Sequence, residues 1–126
     1  MKQGSGESKT TARHFEVFRK EAWKWIRRFG LLNWDWRFVH ADLPGLYAQA
    51  EWNITARSCT LTLGKDWEAI PVTNEQVKKS AFHEVCEVLL GPMTTLAGAR
   101  FIGEYDLEEA SHQVIRILEN AVWAEG

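Results

Sequence analysis

The apolar residues of this chain change their spacing twice, and that change sets the order of its secondary structure. From Thr11 to Phe29, the residues Phe15, Phe18, Ala22, Trp25, Ile26 and Phe29 recur at three and four, the period of a helix with one buried side. Arg19, Lys20, Lys24, Arg27 and Arg28 fall largely elsewhere on the wheel and read as a solvated face. Gly30 follows as a C-terminal glycine. Beyond it the period drops to two: Leu32, Trp34, Trp36 and Phe38 alternate with Asn33, Asp35, Arg37 and Val39, which predicts a strand with one buried face.

Ala41-Asp42-Leu43-Pro44-Gly45 supplies turn chemistry. Two further strands are expected over Leu46–Asn53 and Arg57–Leu63, the second placing Cys59, Leu61 and Leu63 on one face. The link around Ile54-Thr55-Ala56 is short, so these two should form an antiparallel hairpin. Gly64 to Val72 reads as a loop carrying Trp67 and Pro71. The period then returns to that of a helix. Thr73 with Gln76 three later forms a capping signal for a helix expected to reach Leu90 and stop at Gly91-Pro92. Met93 to Gly103 is expected as a looser segment. Asp106 with Glu109 marks the start of a last helix running to about Val122. The order helix, three strands, helix, helix defines an α+β fold, with helices packed on one antiparallel sheet.

A chain of 126 residues suits one domain, here residues 11–126, with Met1–Thr10 expected as a disordered lead-in. That lead-in has no apolar stretch and is not read as a signal peptide. A formal net charge of −2 argues against nucleic acid as a partner, and no window is apolar enough for a membrane span. Seven Trp in so short a chain are expected to thicken a thin core. The two cysteines, Cys59 and Cys86, make no disulfide framework, so a reducing cytoplasm is the expectation.

On the Thr73–Leu90 helix, Val77, Ala81, Val85, Val88 and Leu89 form the apolar stripe. His83 and Glu87 stand four apart and so project from one face a turn apart, where two donors can reach one ion. Glu84, one residue after His83, is placed beside such an ion to act as general base. The segment Ser80-Ala81-Phe82-His83-Glu84-Val85-Cys86-Glu87-Val88-Leu89-Leu90 resembles the active-site helix of small phage-encoded metallopeptidases of the zincin type. The likeness in element order extends from about Phe15 to Val122. It includes a short acidic helix resembling Glu108-Glu109-Ala110-Ser111-His112-Gln113-Val114-Ile115.

The resemblance implies a minimal zincin-like fold and a peptidase that hydrolyses peptide bonds with metal-activated water. It further implies a peptide or protein as substrate or partner, and work inside a bacterial cytoplasm. Zinc is the implied metal. The family's helix reads HExxH, and here Glu87 stands in the fifth position. A carboxylate is a legitimate zinc ligand but a harder one, which brings Mn²⁺ or Fe²⁺ into consideration. The resemblance places the third ligand on the last helix, at His112, with Glu108 and Glu109 as competitors. The departure at Glu87 also keeps open a catalytically inactive zincin-fold protein that binds a host or phage partner. Cys86, three after His83, reads as a small buried residue, His14 and His40 as surface or strand-edge side chains. Tyr105 is a candidate to stabilise an oxyanion.

Overall fold

The structure, a computed structural model, describes residues 7–68, 70–99 and 103–123. Its elements in chain order are α1 (Ala12–Arg28), β1 (Asp35–Ala41), β2 (Ala48–Asn53), β3 (Ser58–Gly64), α2 (Asn74–Ala97) and α3 (Glu104–Leu118), which closes in a wide helical turn, Glu119–Trp123. The α+β arrangement expected from the apolar spacing is present.

Local chemistry accounts for the ends of α1. Thr11 caps it by accepting from the His14 backbone N–H, and the Thr11 N–H donates to His14 Nδ1 at 3.0 Å. His14 is therefore a capping partner. At the other end Leu31 N–H reaches Ile26 O (2.9 Å) and Gly30 N–H reaches Arg27 O (3.1 Å), while Gly30 adopts φ 70°. This is the left-handed glycine stop, and the fully buried Leu31 supplies its usual apolar contact.

The sheet order is β1-β3-β2, with β2 antiparallel and β1 parallel to the central β3. The β2–β3 hairpin is as expected. The all-antiparallel sheet is not: it is mixed. Residues 42–47 carry the chain past one strand position, about 10 Å at the usual strand spacing, and β3 returns into the gap. Alternation tells which face of a strand is buried but is silent on which strand lies beside which. Trp36 and Phe38 lie opposite Cys59 and Leu61 on β3, and Trp52 and Ala50 meet the same two from the far side. Onto this face pack α1 and α2. Trp23 of α1 meets Phe38 (5.9 Å between ring centroids), so α1 covers β1.

Helix α2 covers β2 through its Gly91. A Cβ there would lie 3.1 Å from the Trp52 indole, whose Nε1 donates to Thr95 Oγ1 at 2.9 Å. Gly91-Pro92 is thus a place of close approach and not the expected helix stop. The helix continues to Ala97 with Pro92 buried in its interior. Packing on β2 offsets the roughly 3 kcal/mol that an internal proline costs. Met93–Ala97 of the expected loose segment is therefore helical, whereas residues 100–102 lie outside the described part. Helix α3 starts at Glu104, two residues earlier than expected, with Gly103 N–H donating to Asp106 Oδ2 at 3.1 Å.

Residues 7–10 of the expected lead-in are pinned to the body, and 1–6 lie outside the described residues. Trp67 N–H donates to Ser8 O (2.7 Å), Val72 N–H to Glu7 O (2.9 Å) and Thr10 N–H to Lys65 O (2.8 Å). This strap holds the loop that buries Trp67, whose Nε1 donates to Tyr47 O at 3.1 Å. The described tryptophan side chains all pack in or against the core, as expected.

Gly64 ends β3 under the β1–β2 connection, and a Cβ on it would lie 2.9 Å from Leu46 O and 3.0 Å from Tyr47 O. Both are backbone atoms, so relief requires the chain to move. Gly64→Ala is expected to destabilise by about 1–3 kcal/mol, the usual cost of overpacking, seen as a lower urea midpoint with an unchanged slope.

Candidate metal centre

Helix α2 places its chemistry by simple geometry. Thr73 Oγ1 accepts from Gln76 N–H at 3.1 Å and fixes the start. Val77, Ala81, Val85 and Val88 are fully buried, so the helix has one rotational setting against the core. His83 then emerges on the solvent side, with Nε2 2.9 Å from Glu87 Oε2. Glu84 falls three after Ala81 and four before Val88, within the buried stripe, and is 7% exposed.

Burial pushes the Glu84 carboxyl up to about 7. The Glu87 charge adds to that rise and His83 opposes it. Glu84 makes no hydrogen bond among the described residues, yet none of them has a fully buried side-chain oxygen without a partner. Its carboxylate must therefore touch solvent in the adjoining cleft. That cleft has a volume of about 550 Å³ and lies between α2 (Lys79, Ser80, His83, Glu84) and the chain from Gly45 to Ala48 that leads into β2. Because β2 pairs only with β3, its outer edge is unpaired among the described strands. On the other side of the Lys79–His83 ridge is a second groove of about 490 Å³, floored by Trp25, Phe82 and Cys86.

His83, Glu84 and Glu87 form the one group of three potential metal donors among the described residues, each offering an atom within 4.8 Å of the others. Two donors on a four-coordinate ion with bonds near 2.1 Å stand about 3.4 Å apart, so small side-chain rotations would let these three converge. The set fits a divalent ion: the His83 imidazole and Glu87 carboxylate as donors, the Glu84 carboxylate beside them, and a flank open to water.

His112 does not join this group. It is exposed on α3, as are Glu108 and Glu109, and Arg116 pairs with Glu109 at 3.7 Å. The cause lies in α2. Since α2 runs past Gly91, α3 comes back against its far end, where Asp106, Glu109 and Ala110 line a cleft with Pro92, Thr95 and Leu96. Thr95 is twelve residues beyond His83, about 18 Å along the helix. We expect His112→Ala to leave metal uptake within about 2-fold of wild type, measured by equilibrium dialysis, because no donor of the group is lost.

The remaining candidates are accounted for elsewhere. Tyr105 is 73% exposed and lines neither cleft beside His83. Burial pushes the Cys86 thiol up, away from the thiolate that binds metals, and the buried Cys59 thiol to about 12. His40 lies on the edge strand β1, stacked on Phe15 and bonded to Thr10 Oγ1 at 2.7 Å. Sequence reasoning missed the second wall of the main cleft, Gly45–Ala48. It also missed Lys79, although Lys79 stands four before His83 and so shares its face.

The chain matches no protein-family model, no curated protein and no solved structure with which it was compared. Among the described residues, no helix is long and apolar enough to cross a membrane. Fold and site together define an α+β protein with a His-Glu-Glu cluster at the mouth of a cleft beside an edge strand.

Proposed function

We propose that this protein is a metal-dependent peptidase that takes an extended peptide against the free edge of β2. The observation that carries the reading is the shared cleft: His83 and Glu84 on one wall, and the start of an unpaired edge strand on the other. Outward backbone N–H and C=O groups of such a strand can hold a peptide by adding it to the sheet. His83 and Glu87 would hold the ion, zinc by preference and Mn²⁺ or Fe²⁺ as alternatives. When bound, the ion would supply Lewis acidity toward water and the scissile carbonyl. Glu84 at the cleft floor would take a proton and return it to the leaving amine, a task suited to a carboxyl whose own environment holds it near neutrality.

A second reading, a non-catalytic protein that binds a partner along the same edge, is favoured by the origin of all three donors in a single helical turn. The deciding experiment incubates metal-loaded protein with a mixture of unstructured peptides and follows new termini by mass spectrometry. Cleavage that stops with chelator and returns with Zn²⁺ or Mn²⁺ supports the peptidase. Bound metal without cleavage selects the binding protein.

A further inference from the structure

The β2–β3 turn carries a side chain at odds with its backbone. Ala56 N–H donates to Asn53 Oδ1 at 2.9 Å and Arg57 N–H to Ile54 O at 3.3 Å, which closes the reversal. Arg57 adopts φ 55°, the left-handed region that glycine or asparagine occupies at least cost. An arginine stands there instead, and its head group is held from two sides. The guanidinium carbon lies 5.5 Å from the ring centre of the buried Trp34, and Nη2 donates toward Gln113 Oε1 at 3.5 Å.

Arg116, three residues after Gln113 on α3, lines the same cleft of about 620 Å³, together with Asn33 and Asn120. Among the described residues no acidic side chain lines it; Asp106 and Glu109 line the adjoining cleft, which Arg57 and Gln113 also border. Arg116 does meet Glu109, but at 3.7 Å and with both side chains about half in solvent, a pairing of little strength. On the rim Leu32 is 65% exposed, an apolar surface beside the cationic one.

We infer that this cleft binds a phosphate dianion, gripped by Arg57 and Arg116 and carried on a ligand whose organic part rests on Leu32. Two guanidiniums from different elements call for an anion with more than two oxygens. A single fork already satisfies a carboxylate, whereas a phosphate monoester offers three strong acceptors and nearly two charges. The site is separate from the His83 cluster and does not depend on the peptidase reading.

Titration calorimetry at fixed ionic strength, with phenyl phosphate, inorganic phosphate and benzoate as probes, tests the assignment. Phenyl phosphate is expected to saturate one site, and Arg57→Gly and Arg116→Gln each to weaken it about 10-fold or more, the loss of a charge-assisted contact. Arg57→Gly suits the turn's φ, so an unchanged circular dichroism spectrum and melting point no lower than wild type would show that the fold is kept. Tighter binding of phenyl phosphate than of inorganic phosphate supports an esterified ligand seated on Leu32, and equal binding would overturn that part of the inference. No saturation up to about 10 mM, benzoate binding as tightly as phenyl phosphate, or affinity unchanged in both variants would overturn the inference.

Discussion

Protein stripped with chelator and reloaded with Zn²⁺ is expected to retain about one equivalent, and a His83→Ala variant almost none. His83 supplies the one imidazole of the group, and its Nε2 already stands at 2.9 Å from Glu87 Oε2. Its removal leaves two carboxylates on one helical turn, and carboxylates alone suit harder ions with more ligands than zinc prefers. The loss in affinity should exceed the ~10–100-fold that follows loss of a mere outer-sphere partner. The side chain is exposed, so the metal-free variant should keep its stability within about 0.5 kcal/mol of wild type. That separates a lost ligand from a damaged fold. Excess metal provides a second readout: at about 100 times the dissociation constant, wild type should gain about 2.7 kcal/mol and the variant nearly nothing. Equal zinc uptake by the two proteins would remove the metal centre from the account, and the peptidase proposal with it.

The parts legible in the sequence were those set by near neighbours. Phe18, Ala22 and Ile26 announce the buried side of α1, Thr73 with Gln76 announces the start of α2, and Ile54-Thr55-Ala56 announces the hairpin. The His83–Glu87 pair is legible for the same reason, since a helix brings residues four apart together whatever surrounds it. What was not legible depends on distant partners. Gly91-Pro92 has the form of a helix end, and only the Trp52 ring, thirty-nine positions away in sequence, makes it a contact surface inside a helix. From that misreading follows the next: two further turns of α2 carry α3 away from His83, and His112 with it. Strand order was equally hidden, because β1 beside β3 is a fact about a connection and not about either strand. The burial of Glu84 could have been read, since it stands in the Val77, Ala81, Val88 stripe.

That position makes Glu84→Gln the sharpest test of the proposed base, a carboxyl placed against the interest of the fold. The carboxyl is raised to about 7 in the folded chain and has an ordinary value of 4.5. The folded state therefore binds more protons than the unfolded state between these values. Its stability is greatest below pH 4.5, declines as pH rises through that window, and levels off above 7. The full shift corresponds to about 3 kcal/mol, and contact with cleft water reduces this to about 2 kcal/mol. Glutamine has nearly the same shape and no proton to lose. In chelator, urea midpoints should therefore converge near pH 4.5, and at pH 8 the variant should be the more stable by about 1–2 kcal/mol. A nearby cation favours the carboxylate, so added Zn²⁺ should flatten the wild-type profile. Any metal-dependent cleavage should at the same time fall about 10²–10⁴-fold in the variant, the usual contribution of a general base. A protein that gains stability and loses turnover through one buried carboxylate is what a retained catalytic group predicts. A glutamine variant less stable than wild type at pH 8 would instead make Glu84 a structural residue, and the base would have to be sought elsewhere along the cleft.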